Sequence, residues 1–344
     1  MDCIANTRIV LERQPDGVPK ESDFRIETCR LPPLQERQLL LRTQAISIDW
    51  CGGHAGLGTS PFKTALRAGE VVRCCTVSEV VQSLHAAFRP GDVVLAHSGW
   101  QECEVVDGAS IRRKLHGAVA PATAALGVYG AHGHVAFKAM REVARPMAGE
   151  TVVVGSAASP IGETAGQIAR HNGARVVGVT SSDEKCEWLR EGLGFDAAVN
   201  IHGPHFGQRL RLACPEGIDV LLLGINRALL ATALPLLNTG ARVPVWGCAS
   251  DGSPLPFGAR DGLSMLLDAI IDRRIAVSGY AHAPAGRPDA TASEPEFVSQ
   301  MGRWLRQGVI RYREDVVQGI HSAPAALQRL LEGDNFGKLI VALD

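Results

Sequence analysis

The 344 residues predict an α/β protein of two domains, one β-rich and one built on a doubly wound parallel sheet. Three observations carry this. The first third of the chain is made of strand-like runs set between turn signals. Near residue 148 the pattern changes to short apolar strands alternating with helices. After residue 310 the alternation stops, and the chain ends on one more strand. The length also fits two domains at roughly 100–200 residues each.

In the first third, Arg8–Glu12, Gln38–Ile46, Glu70–Val81 and Asp92–Ala96 are β-rich. Pro-Asp-Gly, Pro-Pro and Arg-Pro-Gly-Asp punctuate them, as expected of a β-barrel-like domain. From Thr151 the run Thr-Val-Val-Val is wholly apolar, as a strand covered on both faces must be. A helix is predicted from about Gly162 to Asn172, with Asn172-Gly173 closing it. The strand Arg175–Thr180 and a helix from Ser182 to Leu193 follow, Ser182 serving as N-cap. Then come the strand Asp219–Leu223, the helix Ala228–Leu237 and the strand Arg242–Trp246. This order is the signature of a parallel sheet with helices on both faces. Gly337–Leu343 is the last strand. Residues 126–310 are therefore assigned to the α/β domain, and residues 1–125 with 311–344 to the β-rich one.

Composition excludes several classes. There are 35 basic and 36 acidic side chains, a formal net charge of −1, which leaves no electrostatic footprint for nucleic acid or an anionic membrane. Arg112-Arg113-Lys114 and Arg273-Arg274 read as short solvated clusters. No uncharged apolar run reaches the ~18 residues a membrane span needs, and Met1–Arg13 lacks the apolar core of a signal peptide. The nine cysteines are odd in number and scattered, without Cys-x-x-Cys spacing. A reducing compartment, the cytoplasm, is the expectation.

The chemistry gathers where strand Thr151–Val154 meets its helix. Gly155, Ser156, Ala157 and Ala158 are small enough for backbone to approach a pyrophosphate. Ser159 can cap the helix, Pro160 suits its first position, and Ile161 and Gly162 complete the first turn. Gly162 and Gly166 allow the helix to pack closely on the sheet. In this strand–turn–helix setting the segment predicts dinucleotide binding of the Rossmann type. The cofactor is chosen at the end of the next strand. An NAD site carries Asp or Glu there, whereas this chain has Thr180, Ser181 and Ser182 with Lys185 following. Hydroxyls and a cation favour a 2′-phosphate, hence NADPH.

Several phrases then carry a resemblance. They are Ser98-Gly-Trp-Gln-Glu102, Ala125-Leu-Gly-Val128, Gly149-Glu-Thr-Val-Val-Val154, Glu184-Lys-Cys186, Gly194-Phe-Asp-Ala-Ala198, Pro235-Leu-Leu-Asn238 and Asn335-Phe-Gly-Lys338. In this order and spacing the chain resembles the alkenal double-bond reductase branch of the medium-chain dehydrogenases/reductases, with prostaglandin and curcumin reductases. The resemblance implies a GroES-like catalytic domain, a Rossmann domain, NADPH, no zinc and a homodimer. The chemistry implied is reduction of a C=C bond conjugated to a carbonyl. By position, Lys185 matches a lysine that meets the 2′-phosphate, and Asn335 a cofactor-contacting asparagine. Tyr280 matches a tyrosine near the nicotinamide that assists the substrate carbonyl. Gly224 and Ile225 occupy the turn beside the nicotinamide.

The chain also departs from that pattern. Ile48-Asp-Trp-Cys-Gly-Gly-His54 stands where the family has Met-Arg-Gly. Leu223-Gly224-Ile225-Asn226 replaces Glu-Asn-Val-Gly, Ile201 replaces a tyrosine, and Ala131-His132-Gly133-His134-Val135 replaces Met-Pro-Gly-Leu-Thr. These departures, with a loop read at Ala283–Pro295, imply a bulky enone or polyenone substrate. Reductive Michael-type ring closure, as in polycyclic tetramate macrolactam biosynthesis, is one form of it. Cys51 and His54 are the nearest approach to a zinc site, but Gly69-Glu70 lacks the histidine that would complete it, so no metal is expected. His132 and His134, read as a loop pair, are an alternative acid. Carbonyl/alcohol interconversion and low-turnover NADPH binding are the rival functions.

Overall fold

The computed structural model describes residues 5–16, 18–49, 66–115, 119–224, 227–246, 259–280 and 294–343. The chain divides into two compact units, Met1–Gly130 with Arg313–Asp344 and Ala131–Tyr312. The first opens with a two-stranded antiparallel ribbon, β1 (Ala5–Leu11) and β2 (Phe24–Arg30). The strands β3 (Gln38–Ser47), β4 (Thr76–Ser83), β5 (Val93–Ala96), β6 (Cys103–Asp107) and β7 (Arg113–Lys114) follow. The run read as a strand from Glu70 begins only at Thr76. Before that, Val71 makes a single bridge to Val10, and Trp100 N donates to Val72 O across a bend.

The second unit starts with helix α1 (Ala131–Lys138), continued by a π-helical turn over Ala139–Ala144. Strand β8 (Thr151–Val154) leads into α2 (Pro160–His171), then β9 (Arg175–Thr180), α3 (Asp183–Glu187) and β10 (Ala197–Asn200). Next come α4 (Phe206–Ala213), β11 (Ile218–Leu222), α5 (Arg227–Ala233) and β12 (Leu237–Trp246). Helix α6 (Ala259–Arg273), β13 (Ala276–Tyr280) and α7 (Glu294–Arg306) complete it. Glu294 and Pro295, read as the end of a loop, are in fact the first turn of α7; residues 281–293 lie outside the described residues. The helix read from Ser182 to Leu193 is α3 followed by a π-helical turn, Trp188–Gly192.

All described strands of this unit form one parallel sheet in the order β10-β9-β8-β11-β12-β13. Val152, Val153 and Val154 are fully buried, as are Val176, Val177, Val220, Leu221 and Leu222. That is why these strands are unbroken apolar runs: helices cover both faces and leave no face for alternation. Glycines on α2 and on β9 make room for neighbouring side chains. A Cβ at Gly166 would lie 2.7 Å from Cε2 of Phe195, and one at Gly178 would lie 2.8 Å from Leu189 Cδ1.

The chain then returns to the first unit with β14 (Glu314–Gln318), α8 (Ala323–Glu332) and β15 (Lys338–Ala342). There β15 inserts between β14 and β3, in the order β14-β15-β3-β4-β5-β7, with β6 paired to β3. Ile46, Ile48, Leu339, Val341, Leu327 and Trp100 share its core. The triplet Arg112-Arg113-Lys114 is not simply solvated. Arg113 donates to Tyr129 O at 2.6 Å with its guanidinium over the Tyr129 ring, and Lys114 pairs with Asp92 at 2.7 Å.

Gly166→Ala drives a methyl into the Phe195 ring, an overpacking of the kind that costs ~1–3 kcal/mol. We expect a lower urea midpoint with an unchanged slope, whereas Gly91→Ala, whose Cβ has nothing within 4 Å, acts only through its φ of +87°.

Candidate functional site

The carboxyl edge of the parallel sheet is where the candidate residues meet. After β8, Gly155 N donates to Leu222 O at 2.8 Å and Ala157 N to Val179 O at 2.9 Å, so the turn is tied to both neighbouring strands. Ser156 sits between them with φ +49°, a left-handed backbone rarely adopted outside glycine. Ser159 then caps α2, its Oγ accepting from Gly162 N at 3.1 Å, and Pro160 occupies the first turn. Such a cap contributes about 1 kcal/mol. The turn is built of small residues, and its neighbours are close. A Cβ at Gly162 would lie 2.7 Å from Ala157 Cα, and one at Gly224 would lie 2.9 Å from Ser156 Oγ and 3.0 Å from Trp246 Cζ2. Backbone N–H groups and a positive helix end stand at a cleared edge, an arrangement that can hold a pyrophosphate.

At the tip of β9, Thr180 is buried and Ser181 and Ser182 follow. Ser182 caps α3, its Oγ accepting from Lys185 N at 3.3 Å, and Lys185 Nζ donates to Ser181 Oγ at 3.4 Å. Asp183, the nearby acid, accepts from Asn200 Nδ2 at 3.1 Å. Its carboxylate is thus taken up by the next strand. The tip presents hydroxyls and an ammonium group, the donor set that suits a phosphate rather than a ribose diol.

The remaining residues are placed as follows. Gly224 is buried just beyond β11, and Ile225 lies outside the described residues. Tyr280 is the last residue of β13, in register with Trp246 of β12 at the same edge. Asn335 belongs to the other unit, where its Nδ2 donates to Gly337 O at 2.9 Å in the turn before β15.

His132 and His134, read as a loop pair, are on helix α1. His134 is buried and stacks on Phe297 with ring centroids 5.0 Å apart. Burial, and then the Lys138 cation, push its pKa down to about 4. It is a neutral imidazole of the helix layer and a poor proton donor at neutral pH.

Sequence reasoning passed over three features. Trp246 closes β12 with its indole nitrogen buried and, among the described residues, without a hydrogen-bond partner. Glu163, buried on α2, accepts from Trp188 Nε1 at 2.8 Å. In the first unit, the buried Lys338 donates to Ile48 O at 2.7 Å and Asp49 Oδ1 at 2.5 Å, while Ser47 Oγ donates to Asp49 Oδ2. Burial raises the nearby Glu314 carboxyl, which accepts from Thr123 Oγ1 at 2.9 Å. The only sequence signal for the lysine was its place in the Asn335-Phe-Gly-Lys338 phrase.

Among the described residues, no group of three or more His, Cys, Asp or Glu could hold a metal ion; Cys51 and His54 lie outside them. No helix among them is long and apolar enough to cross a membrane.

A β-rich unit closed by the chain's last strand, and a parallel-sheet unit with a cleared turn at its carboxyl edge, define an oxidoreductase of the medium-chain dehydrogenase/reductase class. The comparisons agree. Residues 7–113 match the family model described as the N-terminal domain of oxidoreductase, and residues 160–283 the one described as zinc-binding dehydrogenase. The NADPH-dependent curcumin reductase of Escherichia coli is 37% identical over 98% of this chain and 96% of its own. Rabbit (Oryctolagus cuniculus) prostaglandin reductase 1 is 30% identical over 95% of this chain and 90% of its own. The crystal structure of CurA in complex with NADPH from Vibrio vulnificus superposes with a TM-score of 0.91 at 34% identity, covering 98% of this chain and 99% of that one. The chain belongs to the curcumin and prostaglandin reductase family of medium-chain dehydrogenases/reductases.

His134 carries a pH prediction. Its folded pKa, about 4, lies below the ordinary histidine value, so the unfolded chain takes up the proton first as pH falls. Its share of stability is full above about pH 6.5 and is lost between there and about pH 4, at up to ~1.4 kcal/mol per pH unit. Urea midpoints of wild type should fall across that window, and His134→Gln should flatten that part of the fall.

Proposed function

We propose that the chain is an NADPH-dependent reductase of C=C bonds conjugated to a carbonyl. Supporting this are its identity to a curcumin reductase across nearly its whole length and the hydroxyl-and-lysine tip of β9. The tip is the observation that carries the choice of cofactor.

In this reading the turn Ser156, Ala158, Ser159, Pro160, Ile161 and Gly162 holds the pyrophosphate with backbone N–H groups. Thr180 and Ser181 border the 2′-phosphate, and Lys185 pairs with it. Gly224 leaves room for the nicotinamide, and Ile225 and Asn335 are carried over by their positions in the family pattern as further cofactor-binding residues. When bound, the cofactor supplies a hydride. Tyr280 holds its phenolic proton at the acceptor's carbonyl oxygen, where negative charge develops as the β-carbon is reduced. A neutral donor stabilises that charge more in the transition state than in the ground state. The acceptor gains two hydrogens in all, one as hydride and one as a proton.

The substrate in this proposal is a bulky enone or polyenone, supported by the departures at Leu223–Asn226 and Ala131–Val135. Ring closure by Michael addition of the enolate is its furthest form. A homodimer belongs to the reading too. Strand β13 is the last in the order of the parallel sheet, and Val277 on it is exposed, as are Leu267 and Ile271 one turn apart on α6. An apolar sheet edge of this kind is a template for a second copy. The cytoplasm fits the unbridged cysteines Cys29, Cys75, Cys103, Cys186 and Cys214 among the described residues.

The test is NADPH oxidation with mass analysis of products against simple enones, long polyenones and plain ketones. A gain of two hydrogens on an enone or polyenone is expected, and NMR ring counting on the product reads out cyclisation. Turnover of ketones alone, or NADPH binding without turnover, overturns the proposal. Lys185→Ala should raise KM for NADPH roughly 10–100-fold, the worth of a charge-assisted contact, and leave KM for NADH within about twofold. Equal effects on both would remove Lys185 from the phosphate.

A further inference from the structure

Trp246 ends β12, following the run Val243-Pro244-Val245. Its backbone N–H donates to Leu223 O at 3.1 Å, which fixes the residue at the tip of β12 beside the end of β11. There its ring borders Gly224: any Cβ at 224 would lie 3.0 Å from Trp246 Cζ2. The same Cβ would lie 2.9 Å from Ser156 Oγ, so the indole and the left-handed turn residue flank one gap. Glycine at 224 is thus matched to tryptophan at 246.

The indole nitrogen is the unusual feature. It is buried, and nothing among the described residues accepts its proton. An indole N–H is a donor only and cannot be turned into an acceptor to suit its surroundings. Buried tryptophans nearly always find a partner for it. Trp188 does so in the same unit, giving its proton to Glu163 at 2.8 Å. At Trp246 the donor is held in register, and no described residue supplies its acceptor.

The sheet order says which part of a dinucleotide would meet it. The turn after β8 takes the pyrophosphate in the reading above, and the tip of β9, on one side, takes the 2′-phosphate of the adenosine half. Strands β11 and β12 lie on the other side of β8. The half that reaches them is the nicotinamide half.

We propose that Trp246 is a positioning residue for the cofactor, its indole N–H donating to an acceptor on the nicotinamide half, a ribose hydroxyl or the carboxamide oxygen. This rests on the NADPH reading. A hydrogen bond there fixes the nicotinamide ring against the cleared edge at Gly224 and sets its tilt toward the acceptor. The residue acts by orientation and touches no reacting atom.

The test compares Trp246→Phe with wild type in calorimetric titrations with NADPH, reduced nicotinamide mononucleotide and 2′,5′-ADP. The variant keeps an aromatic ring and removes the donor. NADPH and the mononucleotide should bind about tenfold more weakly, the ordinary worth of one hydrogen bond, and 2′,5′-ADP as before. The melting temperature without ligand should stay level or rise, since an unmet donor has gone. Unchanged affinity for NADPH overturns the inference, as does an equal loss for all three ligands. If wild type itself binds no NADPH, the proposed function fails instead. Wild-type protein with 15N-labelled indoles gives a second reading that needs no variant to fold. One of the five tryptophan N–H signals should move with NADPH and the mononucleotide and stay in place with 2′,5′-ADP; the absence of such a signal also overturns the inference.

Discussion

Around helix α2 and strand β9 three close contacts leave no room for a β-carbon, and much of the second unit follows from them. Gly162 lets the helix start immediately over Ala157, Gly166 receives the Phe195 ring, and Gly178 on β9 receives Leu189. Were the helix further out, Ser159 would cap it at some distance from β8. As it is, the strand passes into the helix in one turn, and the turn takes a left-handed residue at Ser156 to do so. Strained backbone of this type gathers at functional edges, where the surroundings over-determine it. Here the surroundings are the bonds from Gly155 to Leu222 and from Ala157 to Val179, which splice the turn into the sheet on both sides.

The molecule is nearly neutral overall, yet it places several polar groups deep inside, each handled differently. Glu163 is given an indole donor, and Lys338 is given a carboxylate and a backbone carbonyl. His134 is kept uncharged by burial against Phe297. Trp246 is handled in another way, its donor left open by the described residues at the cleared edge. Satisfied buried groups specify packing, whereas an unsatisfied one calls for an explanation of its own.

Much of this was legible because one periodicity dominates. Thr151–Val154 and Arg175–Thr180 read as covered strands, and Ser159-Pro160 as residues suited to open a helix. The β-rich unit was harder. Strand β6, Cys-Glu-Val-Val-Asp, is half-buried almost throughout and shows no alternation, and β2 is half-exposed in the same way. Glu70–Cys75 has strand composition but bends to reach Val10 and Trp100. In the candidate site the local parts were readable: a cap, a small-residue turn, a strand tip without an acid. The pairings were not. Gly224 with Trp246, and Asp49 with Lys338, join positions far apart in the chain, and nothing in either neighbourhood announces its partner. His132 and His134 were read as a loop pair, whereas α1 carries both, with Gly133 between them buried in its interior.

The first unit is built from both ends of the chain, with β15 as an inner strand between β14 and β3. Lys338 at the start of that strand reaches back to Asp49, 289 residues earlier. On a ribosome the consequences differ for the two units. The segment Ala131–Tyr312 has every described strand of its sheet once it has emerged, and can settle while translation continues. Until Lys338–Ala342 has been made, Ala45–Ser47 of β3 lack that strand partner and Asp49 lacks the Lys338 cation. Such a sheet closes only after a long loop has been ordered. The sheet of the first unit is therefore complete only when strand β15, made long after β3, has taken its place between β14 and β3.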